Sequence, residues 1–161
     1  MDMDTTKIAG KLNRVLEITL VFLMSFLVLD VLWQVFSRYL LSSPSSFTDE
    51  LAGFLLIWVG VLGAAYVAGR REHLAIDILI QRSGPDRKRI LRLLIHVLIF
   101  LFALSVMVTG GVILVYTRFV LQVKSAALQL PLGYVYIVLP ISGLIIMFYE
   151  VHHLLELKKT G

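Results

Sequence analysis

Few side chains in this 161-residue sequence are of a type that does chemistry, and their spacing limits what each can do. Asp30, Gln34 and Arg38 recur every four residues, so on a helix they share one face. An acid inside an apolar run is costly to bury unless paired or hydrated, which makes Asp30 a functional suspect. Equally, Gln34 and a snorkelling Arg38 can tether it near an interface. Both readings stay open. A proton relay would need a chain of acids, and the other apolar runs offer none at that depth. Glu17 and Glu150 lie at the ends of such runs, where solvation accounts for them. The histidines are His73, His96, His152 and His153. His96 and His152 raise an alternative, a four-helix electron-transfer protein with axial haem ligands from two helices. Such proteins want histidines at two depths, and these four gather toward one. No pair at i,i+3 or i,i+4 has a third ligand nearby, so no metal site is expected. His73 and Asp77, one turn apart, read as an intrahelical hydrogen bond. Cysteine is absent, which removes disulfides, thiolate metal sites, cysteine nucleophiles and covalent haem attachment. With no nucleophile–base–acid set, glycine-rich phosphate cradle or base-stacking surface, we expect no catalytic residue, no cofactor and no nucleic-acid partner.

The elements that must position these residues are set by hydropathy. The chain is 58% hydrophobic and 16% charged, against roughly half and a quarter in a soluble domain. Four runs are long enough to cross a bilayer, which takes roughly 17–25 residues as helix: Val15–Phe36, Leu51–Ala68, Leu93–Tyr116 and Leu132–Tyr149. The last three carry no Asp, Glu, Lys or Arg. Helices are the natural spanning form, because open strands leave backbone groups unpaired in hydrocarbon. The first run is too long for a signal-peptide core, and Leu41 stands where a cleavage site wants a small residue, so it is expected to stay. Of the 15 lysines and arginines, 12 fall in the N-terminal arm, the middle loop or the C-terminal tail, and only Arg38, Arg118 and Lys124 lie opposite. The positive-inside rule therefore puts both termini in the cytoplasm. The expected fold is all-α: one integral membrane domain, 1–161, with four spans.

Between the spans, Met1–Arg14 reads as a short polar arm. Ser46-Phe47-Thr48-Asp49 reads as a capping box opening the second helix, with Asp49 and Glu50 favoured by its dipole. The run Leu74–Ile80 is too short to span and too apolar for water, so it is expected to lie in the interface as a short helix. Pro131 is expected to start the fourth span, and Pro140 to kink it where a neighbouring helix can re-satisfy the freed carbonyl. Gly53, Gly60, Ala64 and Ala68 share one face of the second helix. Packing within this chain's own bundle is the first expectation for them, docking against another subunit the second. Gly110-Gly111 in the third span reads the same way.

Three stretches taken together carry a family resemblance. They are Arg38-Tyr39; then Phe47-Thr48-Asp49-Glu50-Leu51 with Trp58, Gly63-Ala64-Ala65 and Arg70-Arg71-Glu72-His73-Leu74-Ala75-Ile76-Asp77; and Leu130-Pro131-Leu132-Gly133-Tyr134-Val135-Tyr136 with Leu139-Pro140-Ile141-Ser142-Gly143. In order and spacing they resemble the small membrane subunit, DctQ type, of tripartite ATP-independent periplasmic (TRAP) transporters, over about residues 15–155. Phe47 departs from the pattern, which often has tryptophan there. The resemblance implies a multi-pass protein of the bacterial inner membrane that braces a large multi-span subunit and adds to the docking face for a periplasmic substrate-binding protein. The complex would import a small organic acid on an ion gradient, sodium in this family. A self-sufficient small channel is the further alternative, and it lacks a polar lumen. The interface candidates are Arg38, Asp49, Glu50, Trp58, Gly60, Ala64, Arg70, Arg71, His73 and Asp77, with Asp30 and Gln34 as an intramembrane polar stripe. Within this set Glu50 is expected to pair with Arg38, within this chain or through the large subunit, and Arg70 or Arg71 to hold anionic lipid headgroups or the large subunit.

Overall fold

In a computed structural model of the chain, residues 2–40, 45–70 and 85–159 are described. Helix α1 runs Asp2–Leu40, α2 Ser46–Arg70 and α3 Pro85–Phe102. A π-helical stretch, Ala103–Gly110, carries α3 into α4, Gly111–Val120. A loop then leads to the short α5, Leu132–Tyr136, and to α6, Val138–Lys159. Lys7–Leu40, Ser46–Arg70, Ile90–Val120 and Leu132–Leu155 are each long and apolar enough to cross a membrane. Each contains one of the four sequence-derived spans and outruns it, because backbone hydrogen bonding continues past the last apolar residue. The expected interfacial segment, with Arg71, His73 and Asp77, lies outside the described residues.

The N-terminal arm is a direct continuation of the first span. At 39 residues, α1 is about 58 Å long, roughly twice the hydrocarbon thickness. Its inward stripe, Leu16, Asp30 and Ser37, is buried, while Val21, Phe22, Leu29 and Leu32 stay exposed, an arrangement suited to lipid or another chain. α1 packs chiefly on α2, and α2 and α3 pack on α6. Leu16, Leu62, Val138 and Tyr149 form one buried cluster, and Ala65, Ala68, Ala103, Met107 and Ile146 form the other. Small residues set the helix spacing at the second: a Cβ on Gly143 would come within 2.8 Å of Met107 Cβ.

Three local expectations are corrected by the geometry. The capping serine of α2 is Ser45, one residue earlier than the sequence reading: the Thr48 amide donates to Ser45 Oγ (3.4 Å) and the Asp49 amide to its carbonyl (3.3 Å). The third span is interrupted by eight residues of π-helix. The fourth span breaks at Ile137, one turn before Pro140, because a proline ring collides with the carbonyl four residues upstream. A neighbouring helix serves a carbonyl beside the break, one residue before the Tyr136 carbonyl that Pro140 leaves without its helical donor: Trp58 Nε1 donates to Val135 O at 3.0 Å. Pro131 takes the N-cap position of α5 with extended backbone, and Gly111 receives the Pro140 ring.

Candidate functional site

The polar side chains gather at the two ends of the bundle. At the loop end, α1 and α2 are joined by Gln34 Nε2 donating to Asp49 Oδ1, and an open pocket is lined by Gln34, Arg38, Ser45, Ser46 and Asp49. Glu50 turns the other way. It accepts amide hydrogens from Ala126 (2.9 Å), Ala127 (2.9 Å) and Leu128 (2.8 Å), ordering the loop between α4 and α5. A carboxylate that collects three amide hydrogens is a charge-assisted clamp. The loop folds back on itself: the Ser125 amide donates to Leu130 O (2.9 Å) and the Leu132 amide to Val123 O (2.9 Å), with Gln122 and Gln129 at positive φ. Within the chain, the expected Glu50–Arg38 pair is therefore not what holds this rim. Arg38 shares a pocket with Asp49, and Glu50 belongs to the loop.

At the end bearing both termini, α1, α2 and α6 meet. Tyr149 Oη donates to Asn13 Oδ1 at 2.7 Å over Gly69, whose missing side chain makes the crossing possible. Beside it Arg70 approaches Glu17 at 3.9 Å and lies 5.1 Å over the Tyr66 ring. The pair is about half exposed on both sides, so it contributes at most about 1 kcal/mol.

Of the intramembrane stripe, Asp30 is buried with Oδ2 lacking a hydrogen-bond partner, while Gln34 is committed to Asp49. Gln34 is thus not Asp30's tether. Gly53, Gly60 and Ala64 lie on the exposed face of α2, and a Cβ at either glycine would meet nothing within 4 Å. Only Ala68 of that set enters the core. The first expectation, that these small residues pack the chain's own bundle, fails for three of the four.

A cluster that the sequence reading dismissed appears between α3 and α6. Glu150 is 1% exposed and not solvated; its Oε2 meets His96 Nδ1, and its Oε1 is buried without a hydrogen-bond partner. His153, one turn further along, is buried as well, and its ring centroid lies 5.4 Å from that of His96. Glu150 and His153 do stand at i,i+3, with His96 supplied across 54 residues as the third group. The i,i+3 pair was the available signal; the third member came from another helix.

The model of the DctQ component of tripartite ATP-independent periplasmic transporters matches residues 27–160. The chain belongs to that family. It is 26% identical to a Haemophilus influenzae protein assigned as a TRAP transporter small permease, over 86% of this chain and 84% of that one. It is also 26% identical to the sialic acid TRAP transporter small permease SiaQ of Vibrio cholerae, over 92% and 84%. A 74-residue stretch is 36% identical to the sialic acid TRAP transporter permease SiaT of Haemophilus influenzae, covering 43% of this chain and 12% of SiaT. The DctQ-family chain is thus a multi-pass inner-membrane component of a transport system, not an enzyme.

Proposed function

We propose that this DctQ-family chain works as a single membrane domain that braces the large membrane subunit of a TRAP transporter. Both termini would face the cytoplasm, and the loop held by Glu50 would add to the periplasmic face on which a substrate-binding protein docks. The observation that carries the bracing role is the open stripe of α2: Gly53, Gly60 and Ala64 are exposed, and among the described residues nothing fills the space above the glycines. Small residues at such spacing let a second backbone approach closely, which is how helices associate in lipid. The partial match to the much longer SiaT supports a link between small and large permease modules. The complex would take up a small organic acid on an ion gradient, sodium by family resemblance. The relatives SiaQ and SiaT are named for sialic acid.

The test is co-purification. Gly60→Leu and Ala64→Leu add bulk to the open stripe without touching this chain's core. Each should lower recovery of the large subunit several-fold and lower substrate uptake in parallel, while the thermal unfolding of the isolated chain stays at the wild-type value. Full recovery of the partner with both variants would mean that this stripe faces lipid. Purified alone in proteoliposomes, the chain should support no saturable uptake.

A further inference from the structure

Glu150 is a carboxylate sealed inside the bundle with one oxygen left over. Its Oε2 is engaged by His96 Nδ1, and its Oε1 is buried with no hydrogen-bond partner. Leaving a buried polar oxygen without a partner is costly for a fold. His153 sits one turn away on the same helix, 4% exposed, and His96 stands opposite on α3 with its side chain 15% exposed. One ligand atom from each of the three lies within 4.8 Å of the others. A tetrahedral ion with donors at about 2.1 Å needs them roughly 3.4 Å apart, a closure within reach of side-chain rotation.

We propose that His96, Glu150 and His153 form a site for a divalent transition-metal ion, zinc fitting best, that ties α3 to α6. Two imidazoles and one carboxylate are a nitrogen-rich donor set. Calcium and magnesium seek oxygen ligands and are poorly served here, whereas imidazole suits zinc, iron, nickel and copper. Zinc has no geometric demand of its own, and three protein ligands leave it a fourth position for water. The spacing Glu-x-x-His on one helix, completed from a facing helix, is a way bundles build metal sites in their interiors. With the ion seated, the buried negative charge is compensated, and the third and fourth spans are joined at the end bearing both termini. The site stands apart from the transporter reading and does not depend on it.

The full-length chain, purified in detergent with a histidine-free tag and no chelator, should carry about one zinc ion per chain by elemental analysis. After chelation, titration with Co2+ should bring up visible d–d absorption bands, and Zn2+ should displace them and raise the unfolding temperature. Glu150→Gln keeps the side chain's shape and an acceptor for His96, so it should fold. It should nonetheless weaken Co2+ binding by more than the roughly 10–100-fold that losing an outer-shell partner costs. His153→Gln should do the same and serves as the second variant. A wild-type chain that holds no ion and develops no bands overturns the site and leaves a plain histidine–glutamate hydrogen bond. Binding that survives equally in both variants overturns it too, since the ion would then be adventitious and seated elsewhere.

Discussion

At the scale of single residues, the contacts that matter are those where one atom more or less has nowhere to go. Gly69 is such a point: a Cβ there would overlap Asn13 Oδ1 and come within 2.7 Å of Tyr149 Cζ. Gly69→Ala should therefore break the Asn13–Tyr149 hydrogen bond and prise α1 from α6, at a cost of about 1–3 kcal/mol, as overpacking does. Gly60→Ala, whose Cβ would meet open space, should be neutral or slightly stabilising. Thermal unfolding of the two variants in one detergent decides it, and equal midpoints would mean that the three-helix junction yields easily. Glu50 poses a different question, since its carboxylate serves three loop amides and Arg38 faces another pocket. Glu50→Ala should speed hydrogen exchange at Ala126, Ala127 and Leu128, whereas Arg38→Ala should leave those amides as protected as in the wild type. Assembly defects of the two should add, because the groups share no partner.

At the scale of elements, α6 and the helix it crosses are shaped around each other. A Cβ on Gly111 would sit 2.9 Å from Pro140 Cδ and 3.2 Å from Leu139 Cβ, while one on Gly110 would find nothing nearer than 3.7 Å. Neighbouring glycines should therefore answer the same substitution with opposite signs. Gly111→Ala should destabilise by about 1–3 kcal/mol, and Gly110→Ala should stabilise by up to about 1 kcal/mol through helix propensity. Denaturant titration in mixed micelles measures both, and a Gly111→Ala variant as stable as the wild type would deny the crossing. This interface also divides what was legible in the sequence from what was not. The four spans were legible because hydrocarbon thickness demands a run of apolar residues, and composition alone reports it. Pro140 announced a defect because its chemistry is local, although the break falls a turn earlier, where the ring meets a carbonyl. The π-helical stretch was hidden, since Ala103–Gly110 has no residue type that marks it. The His96–Glu150 contact was hidden because it joins residues 54 apart, and hydropathy places a residue at a depth without saying which helix it faces. The open stripe of α2 was half legible: its residues were found by spacing, but whether they faced inward depended on the other three spans.

At the scale of the whole molecule, four crossings would put both termini on one side, and the charge distribution is the ground for proposing which. Twelve of the 15 basic residues fall, in sequence, in the N-terminal arm, the middle loop or the C-terminal tail, and insertion favours keeping such clusters in the cytoplasm. On the proposed orientation the loop clamped by Glu50 would face the periplasm, where a soluble binding protein would reach it, and the metal cluster proposed between α3 and α6 would lie in the cytoplasmic half. Each functional assignment made for the two ends depends on this orientation. The chain has no cysteine of its own, so single introduced cysteines report their side of the membrane without a background to remove. Ala127 is exposed on the loop, and Gly10 is exposed on the arm of α1 with open space about it. Treated in intact spheroplasts with a membrane-impermeant maleimide, Ala127→Cys should be labelled, and Gly10→Cys should be labelled only after the membrane is opened. Neither substitution removes a basic residue, so neither disturbs the signal under test. Labelling of Gly10→Cys from outside would invert the molecule, moving the Glu50 clamp away from any periplasmic partner. Labelling of both from outside would break the even-span topology itself, since a helix such as α1, about 58 Å long, would then have to lie along the surface instead of crossing.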